Sequence, residues 1–355
     1  MVFLIILFAV LMFSLLIFVH EFGHFIAAKL SGVRVNEFSI FMGPAIVKWQ
    51  RGETLYAIRT IPIGGYCAME GEDTDTDDPR SFQKAKWWKR LIILVAGSAM
   101  NFIAGVLIIF MILMPAVRFT TTGVDDIMVG SSFSEGNAIL PGDTLLEIDG
   151  EKLYIQPDFS LILEVKPAKH HDVLVLRGGE KVMLEDVIFE VRQLTEKDGT
   201  PFTGYGIVFD SVEATLGQKL KYTWNYALDY VRMVRLSLAM LIRGDAGVED
   251  MSGPVGIVDQ MSQAAQSAGT LDGALYTVMN FAALIAINLG VMNLLPIPAL
   301  DGGRAVCLLI TTAVEGITKK KLNPKYEGYL HAAGMILLLG FMAFITLKDI
   351  LGLFR

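Results

Sequence analysis

Two histidines and a glutamate stand in the run Phe13 to Leu30, FSLLIFVHEFGHFIAAKL, where nearly every neighbour is apolar. His20-Glu21-Phe22-Gly23-His24 is an H-E-x-x-H motif. On a helix, residues four apart share a face, so both imidazoles can bind one ion. Glu21, beside the pair, can take a proton from a water next to that ion and pass it to a leaving nitrogen, the chemistry of a zinc hydrolase. A charged or strongly polar side chain at the centre of a bilayer costs about 2.5–3.5 kcal/mol or more. A bound cation offsets that cost, so the motif reads as a metal site.

A catalytic zinc takes a third protein ligand and keeps one position open. The remaining histidines are His170, His171 and His331. The adjacent pair His170-His171 reads as surface histidines in a polar turn, and His331, opening a late apolar run, as interfacial. Cys67 and Cys307 stand far apart and support neither a cysteine zinc site nor a disulfide framework. A carboxylate fits better. In NLGVMNLLPIPALDGGRAV, Asp301 follows a nearly unbroken apolar run. Pro296 and Pro298 forbid regular helix before it, and Gly302 and Gly303 permit a closely approaching backbone after it. An aspartate presented at membrane depth needs a partner, and a cation held by His20 and His24 is the obvious one. Asn293, on the same broken segment, offers a hydrogen bond to a substrate carbonyl or oxyanion, or else a cap or interhelical bond.

These residues need a membrane to sit in. The 355-residue chain is 53% hydrophobic, with a mean hydropathy of +0.50, which excludes an ordinary soluble protein. Four apolar runs, about 2–30, 91–117, 274–295 and 329–354, are each long enough to cross about 30 Å of hydrocarbon. The first has no basic residue before it, exceeds a signal-peptide core and lacks a clear cleavage site, so a retained span is expected. A weaker stretch at about 222–242 reads as an amphipathic helix. Lys29, Arg34, Lys84, Lys86, Lys89 and Arg90 border the loop at 30–90, and Lys319, Lys320, Lys321 and Lys325 lie between the last two spans. The positive-inside rule assigns both loops to the cytoplasm and 118–222 to the outside.

That outer stretch reads as one small β-rich domain: AILPGDTLLEIDGEKL and DVLVLRGGEKVMLEDVIFEV carry strand alternation and turn signals. In the cytoplasmic loop, FSIFMGPAIVKWQ and TLYAIRTIPIGGYCAM predict β-hairpins that fold back toward the polar site. DTDTDD at 73–78 reads as a solvated acidic turn, because Asp78 and Lys84 stand where a calcium loop needs Gly and Glu. The expected divisions are 1–117 with the H-E-x-x-H helix, 118–215 as the β domain, 216–273 as amphipathic linker helices and 274–355 as the C-terminal membrane region.

HEFGH together with NLLPIPALDGG resembles the site-2 protease family of intramembrane metalloproteases, of the bacterial RseP/RasP type. FMGPAIVKW, IPIGGYCAMEGE, RSFQKAKWWKRLIILVAGSAMNFIAGVLI with Asn101, and SGPVGI at 252–257 extend the resemblance along the chain. It implies a membrane α-helical fold with four transmembrane helices, cytoplasmic-side reentrant β-hairpins and one extracytoplasmic PDZ-like α+β domain. It also implies Zn2+ held by His20, His24 and Asp301, with Glu21 as general base and Asn293, Gly43, Gly64 and Gly65 handling substrate. A hairpin near Gly64-Gly65 would pair with an unwound substrate strand, with Gly43-Pro44 at the tip of a second hairpin. The substrates implied are single-pass membrane proteins or signal-peptide remnants, anti-sigma factors among them, cut by regulated intramembrane proteolysis. Gly204-Tyr205-Gly206-Ile207 offers a loop for a C-terminal peptide, with size filtering of substrates as the alternative. The location implied is the inner (cytoplasmic) membrane, with the active site toward the cytoplasmic side. The rival readings are a different integral H-E-x-x-H metalloprotease, a metal transporter, or a non-enzymatic PDZ membrane adaptor.

Overall fold

The computed structural model describes residues 2–72, 76–133, 139–195, 199–245, 247–319 and 324–352. Part of the acidic turn at 73–78 and part of the stretch at 130–140 therefore lie outside the described residues. The chain divides into two units, Met1–Ile108 with Ser237–Arg355, and Ile109–Leu236.

In the first unit, α1 (Val2–Ser31) carries the H-E-x-x-H motif. Gly32 ends it by taking φ +80°, which lets Val33 N–H return to the Ala28 carbonyl at 2.9 Å. The chain then enters β1 (Val35–Arg51) and β2 (Thr54–Met69). The two cytoplasmic hairpins expected from sequence form one two-stranded sheet that folds on itself. Phe38 pairs with Cys67 on one side and Tyr56 on the other, and the turn falls between Arg51 and Thr54. Gly43-Pro44 lies where β1 itself reverses. Ile40 pairs with Ile58 and Ala45 with Arg59, and the two halves of β1 run in opposite directions along 55–59. Phe41 and Gly43 take φ +70° and +85°, so the pair sits at a hairpin tip, as expected from sequence.

Helices α2 (Trp87–Leu113), α5 (Pro254–Ser267), α6 (Leu271–Met292), α7 (Asp301–Thr318) and α8 (Pro324–Gly352) complete this unit, with α4 (Leu216–Arg243) entering it at its C-terminal end. Among the described residues, four helical stretches, Leu7–Ser31, Trp87–Leu113, Leu271–Met292 and Glu327–Gly352, are long and apolar enough to cross a membrane, in line with the four runs read from sequence. Two apolar clusters hold them. In one, Phe18, Phe22 and Phe25 of α1 stack along the helix and meet Phe38 and Tyr56 of the sheet. In the other, Ala9, Met12 and Leu16 pack on Met261 and Ala265 of α5 and on Ala282 and Ala286 of α6. Asp349 of α8 accepts the N–H groups of Gly253 and Gly256 at 2.9 and 2.8 Å, capping the start of α5.

The second unit contains the sheet β10-β3-β4-β6-β7, where β3 is Arg118–Ile127, β4 Thr144–Ile148, β6 His170–Arg177, β7 Glu180–Ile188 and β10 Ile207–Glu213. A short β5 (Glu151–Lys152) pairs with β4, and β8 (Arg192–Thr195) pairs with β9 (Pro201–Gly204). Leu145, Ile148, Val173 and Val175 of the sheet pack against Phe159 and Ile162 of α3 (Pro157–Val165). His170 is exposed, as expected, but His171 is 2% exposed and bonds Asp149 through Nδ1 at 2.7 Å. Strand alternation turned one of two adjacent histidines inward. Within this unit, α4 is tied to the β fold by Arg232, whose guanidinium lies 2.6 Å from Asp158 and 2.7 Å from Asp229.

Candidate metal centre

Residues 18 and 20 lie about 200° apart on a helix, so α1 turns its phenylalanines to the sheet and its histidines to the opposite side. There α2 crosses at two glycine contacts. A Cβ on Gly23 would lie 2.4 Å from the Ala96 carbonyl oxygen, and a Cβ on Gly97 would lie 2.3 Å from His24 Nε2 and 2.8 Å from His20 Cε1. Only a glycine at 97 leaves room for both imidazoles.

Asp301 arrives from α7. The chain leaves α6 at Asn293, turns through Pro296 and Pro298, and restarts as helix at Asp301. Gly302 N–H donates to the Asn293 carbonyl at 2.7 Å, and a Cβ on Gly302 or Gly303 would strike the loop backbone at 2.2–2.3 Å. The loop therefore folds directly onto the first turn of α7 and aims the carboxylate at α1. Asp301 Oδ2 lies 3.2 Å from His20 Nε2 and 3.3 Å from His24 Nε2, and the two Nε2 atoms are 3.3 Å apart.

These dimensions fit a metal ion. Tetrahedral zinc bonds of about 2.0–2.2 Å separate neighbouring ligand atoms by about 3.3–3.6 Å. Asp301 Oδ2 is buried without a hydrogen-bond partner, so it is left free to bind a cation. The ring protons agree. His24 Nδ1 faces the Ile93 carbonyl at 2.8 Å; this oxygen can only accept a hydrogen bond, so the ring proton sits on Nδ1 and the Nε2 lone pair is left for an ion. His20 Nδ1 faces Asn101 Nδ2 at 3.4 Å, while Asn101 Oδ1 is buried without a partner; turning the amide over would satisfy Oδ1 with the Nδ1 proton and fix the same tautomer. Among the described residues, His20, His24 and Asp301 form the one group of three or more His, Cys, Asp or Glu able to hold a metal.

Glu21 is half-buried, within electrostatic range of His20, His24 and Asp301. A Cβ on Gly65 would lie 3.5 Å from Glu21 Cγ, which brings β2 alongside the general-base candidate. Gly43 and Gly64 take φ +85° and +79° farther along the same sheet, with Ile61 and Met42 as their neighbours. Asn293 joins the site through its backbone carbonyl at the end of α6. Two contributors had little signal in the sequence. Gly97 is one small residue among several on α2, and the Ile93 carbonyl has no signal at all, since any residue supplies one. Asn101, a lone amide inside an apolar span, was the visible clue to a ring partner.

The chain matches the model of peptidase family M50 over residues 8–341. A protein of Clostridium acetobutylicum named "Putative zinc metalloprotease" is 35% identical over 345 residues, covering 96% of each chain. One of the same name from Clostridium perfringens is 35% identical over 348 residues, covering 98% of each. The "Regulator of sigma-W protease RasP" of Bacillus subtilis is 26% identical across 97% of this chain and 98% of its own length. With the family match running nearly from end to end, this chain belongs to peptidase family M50, the site-2 proteases, and is a zinc metalloprotease integral to the membrane.

Proposed function

We propose that this metalloprotease cuts single-pass membrane proteins within their membrane-spanning segments, anti-sigma factors or signal-peptide remnants, as the later step of regulated intramembrane proteolysis. The observation that carries the reading is the position of His20 and His24 inside a candidate span, with Asp301 closing on them from a proline-broken segment. The name of the Bacillus subtilis relative, a regulator of sigma-W protease, supports the substrate class.

His20, His24 and Asp301 would hold the zinc ion, with Asn101 and the Ile93 carbonyl orienting the rings. The ion, when bound, lowers the pKa of water toward about 7 and polarises a carbonyl. Glu21 accepts a proton from the attacking water as its oxygen bonds the peptide carbon, and returns it to the amide nitrogen as the C–N bond breaks. Asn293 donates to the carbonyl oxygen, and the sheet near Gly64 and Gly65 receives the unwound substrate as an added strand, with Gly43 on the same sheet. The basic flanks support an active site on the cytoplasmic side of the inner membrane and an extracytoplasmic PDZ-like domain at 118–215. A C-terminal peptide is the ligand suited to its 204–207 loop.

The test is cleavage of a reconstituted single-span substrate. Glu21→Gln is expected to lower kcat by about 10²–10⁴-fold while metal content stays at the wild-type level. Equal cleavage by both proteins would remove Glu21 from the mechanism, and cleavage confined to soluble substrates would overturn the intramembrane reading.

A further inference from the structure

The loop that delivers Asp301 has few backbone donors, because Pro296 and Pro298 carry none. Ile297 N–H bonds the Leu295 carbonyl at 2.7 Å, Leu300 N–H the Ile297 carbonyl at 3.1 Å, and Gly302 N–H the Asn293 carbonyl at 2.7 Å. These all return to the loop. Ala299 N–H instead crosses to α8, where it donates to Nδ1 of His331 at 3.1 Å. Ala299 holds φ +83°, a left-handed conformation that disfavours any residue with a Cβ and persists where surroundings enforce it. The next residue, Leu300, is back at φ −94°, and Asp301 opens the helix. The direction in which Asp301 leaves the loop thus depends on Ala299 keeping its unusual backbone angle.

His331 is built into that seat. Its side chain is 15% exposed, and because Nδ1 accepts, its ring proton lies on Nε2. Three residues on along the same helix, a Cβ on Gly334 would lie 2.5 Å from Pro298 Cβ and 2.7 Å from the Pro298 carbonyl oxygen. Elsewhere α8 is mostly exposed, with Ile345 its one buried hydrophobic among the described residues. A histidine needed for packing alone has no reason to turn Nδ1 onto a backbone N–H.

We propose that His331 is a positioning residue for Asp301: its Nδ1 holds Ala299 in the left-handed conformation that points the carboxylate at His20 and His24. The inference rests on the proposed reading of Asp301 as a metal ligand.

The test uses the full-length protein in detergent, with zinc affinity by chelator competition, the visible spectrum of the Co2+-substituted protein, and cleavage rate. His331→Leu removes the acceptor at similar size and is expected to weaken metal binding by about 10–100-fold, the range for residues that orient ligands, and to alter the Co2+ spectrum. His331→Asn keeps an acceptor where Nδ1 stood and is expected to stay near wild type. Ala299→Gly, which adopts positive φ unaided, is expected to restore most of the loss in the His331→Leu background. Wild-type affinity and spectrum for His331→Leu overturn the inference, as does equal damage from Leu and Asn with no recovery by Ala299→Gly. Should His331→Leu fail to accumulate, accumulation of the double variant is the readout: recovery supports the contact, and unchanged loss overturns it. Asp301→Ala, measured alongside, separates the two readings, since retained metal there defeats the ligand role itself.

Discussion

An imidazole that binds a metal through Nε2 must carry its proton on Nδ1, and each ring here faces a group able to accept a hydrogen bond from that N–H. For His24 it is a main-chain carbonyl that no substitution removes. For His20 it is the Asn101 amide, which mutation can reach. Asn101→Leu is therefore expected to lower metal affinity or activity by about 10–100-fold, read by chelator competition. Asn101→Asp, which keeps an acceptor, should lose less. Wild-type affinity in the leucine variant would mean that His20 is held by its neighbours' packing alone.

Elements set how closely these residues approach. The histidine side of α1 meets α2 at Gly97, where the clash of an added Cβ falls on the two rings. Gly97→Ala is expected to displace them and, since a shift of about 1 Å can cost a hundredfold, to lower kcat/KM by about 100-fold. Metal analysis should show parallel loss while the protein still accumulates in membranes. A second tie joins the turn after β2 to α7, where Arg304, three residues beyond Asp301, pairs with Glu72. A double-mutant cycle with Glu72→Gln and Arg304→Met should give a coupling of about 0.5–3 kcal/mol in zinc-dependent cleavage. Strict additivity would show that the turn and α7 are positioned independently.

For the whole molecule, the testable property is stability against pH. In the second unit, Asp158 and Asp229 share the guanidinium of Arg232, which also stacks over Tyr154. Burial, and then the neighbouring Asp158 carboxyl, push the pKa of Asp229 above the usual carboxylate range in spite of Arg232. Between the ordinary carboxylate value and that raised value, the folded chain holds a proton that the unfolded chain has lost. Stability therefore falls as pH rises across that window, by up to about 1.4 kcal/mol per pH unit. Thermal unfolding from pH 4.5 to 7 should show this slope in the wild type and a flatter one in Asp229→Asn. Identical slopes would assign the pH dependence to other groups.

What the sequence determined alone is whatever rests on local geometry. A 3.6-residue period puts His20 and His24 on one face, and long apolar runs mark four helices able to span a membrane. Two prolines followed by two glycines mark the break that presents Asp301. Each of these follows from residues near one another in the chain. One reading outran that local logic: the adjacent pair His170-His171 reads as surface histidines, but strand alternation turns His171 inward. Only the tertiary structure decided that Asp301 comes within 3.2–3.3 Å of both histidines, that Gly97 makes room for them, and that His331 holds Ala299. Those facts depend on which surfaces pack together. A carbonyl such as that of Ile93 belongs to every residue and acquires its role only from where the fold puts it.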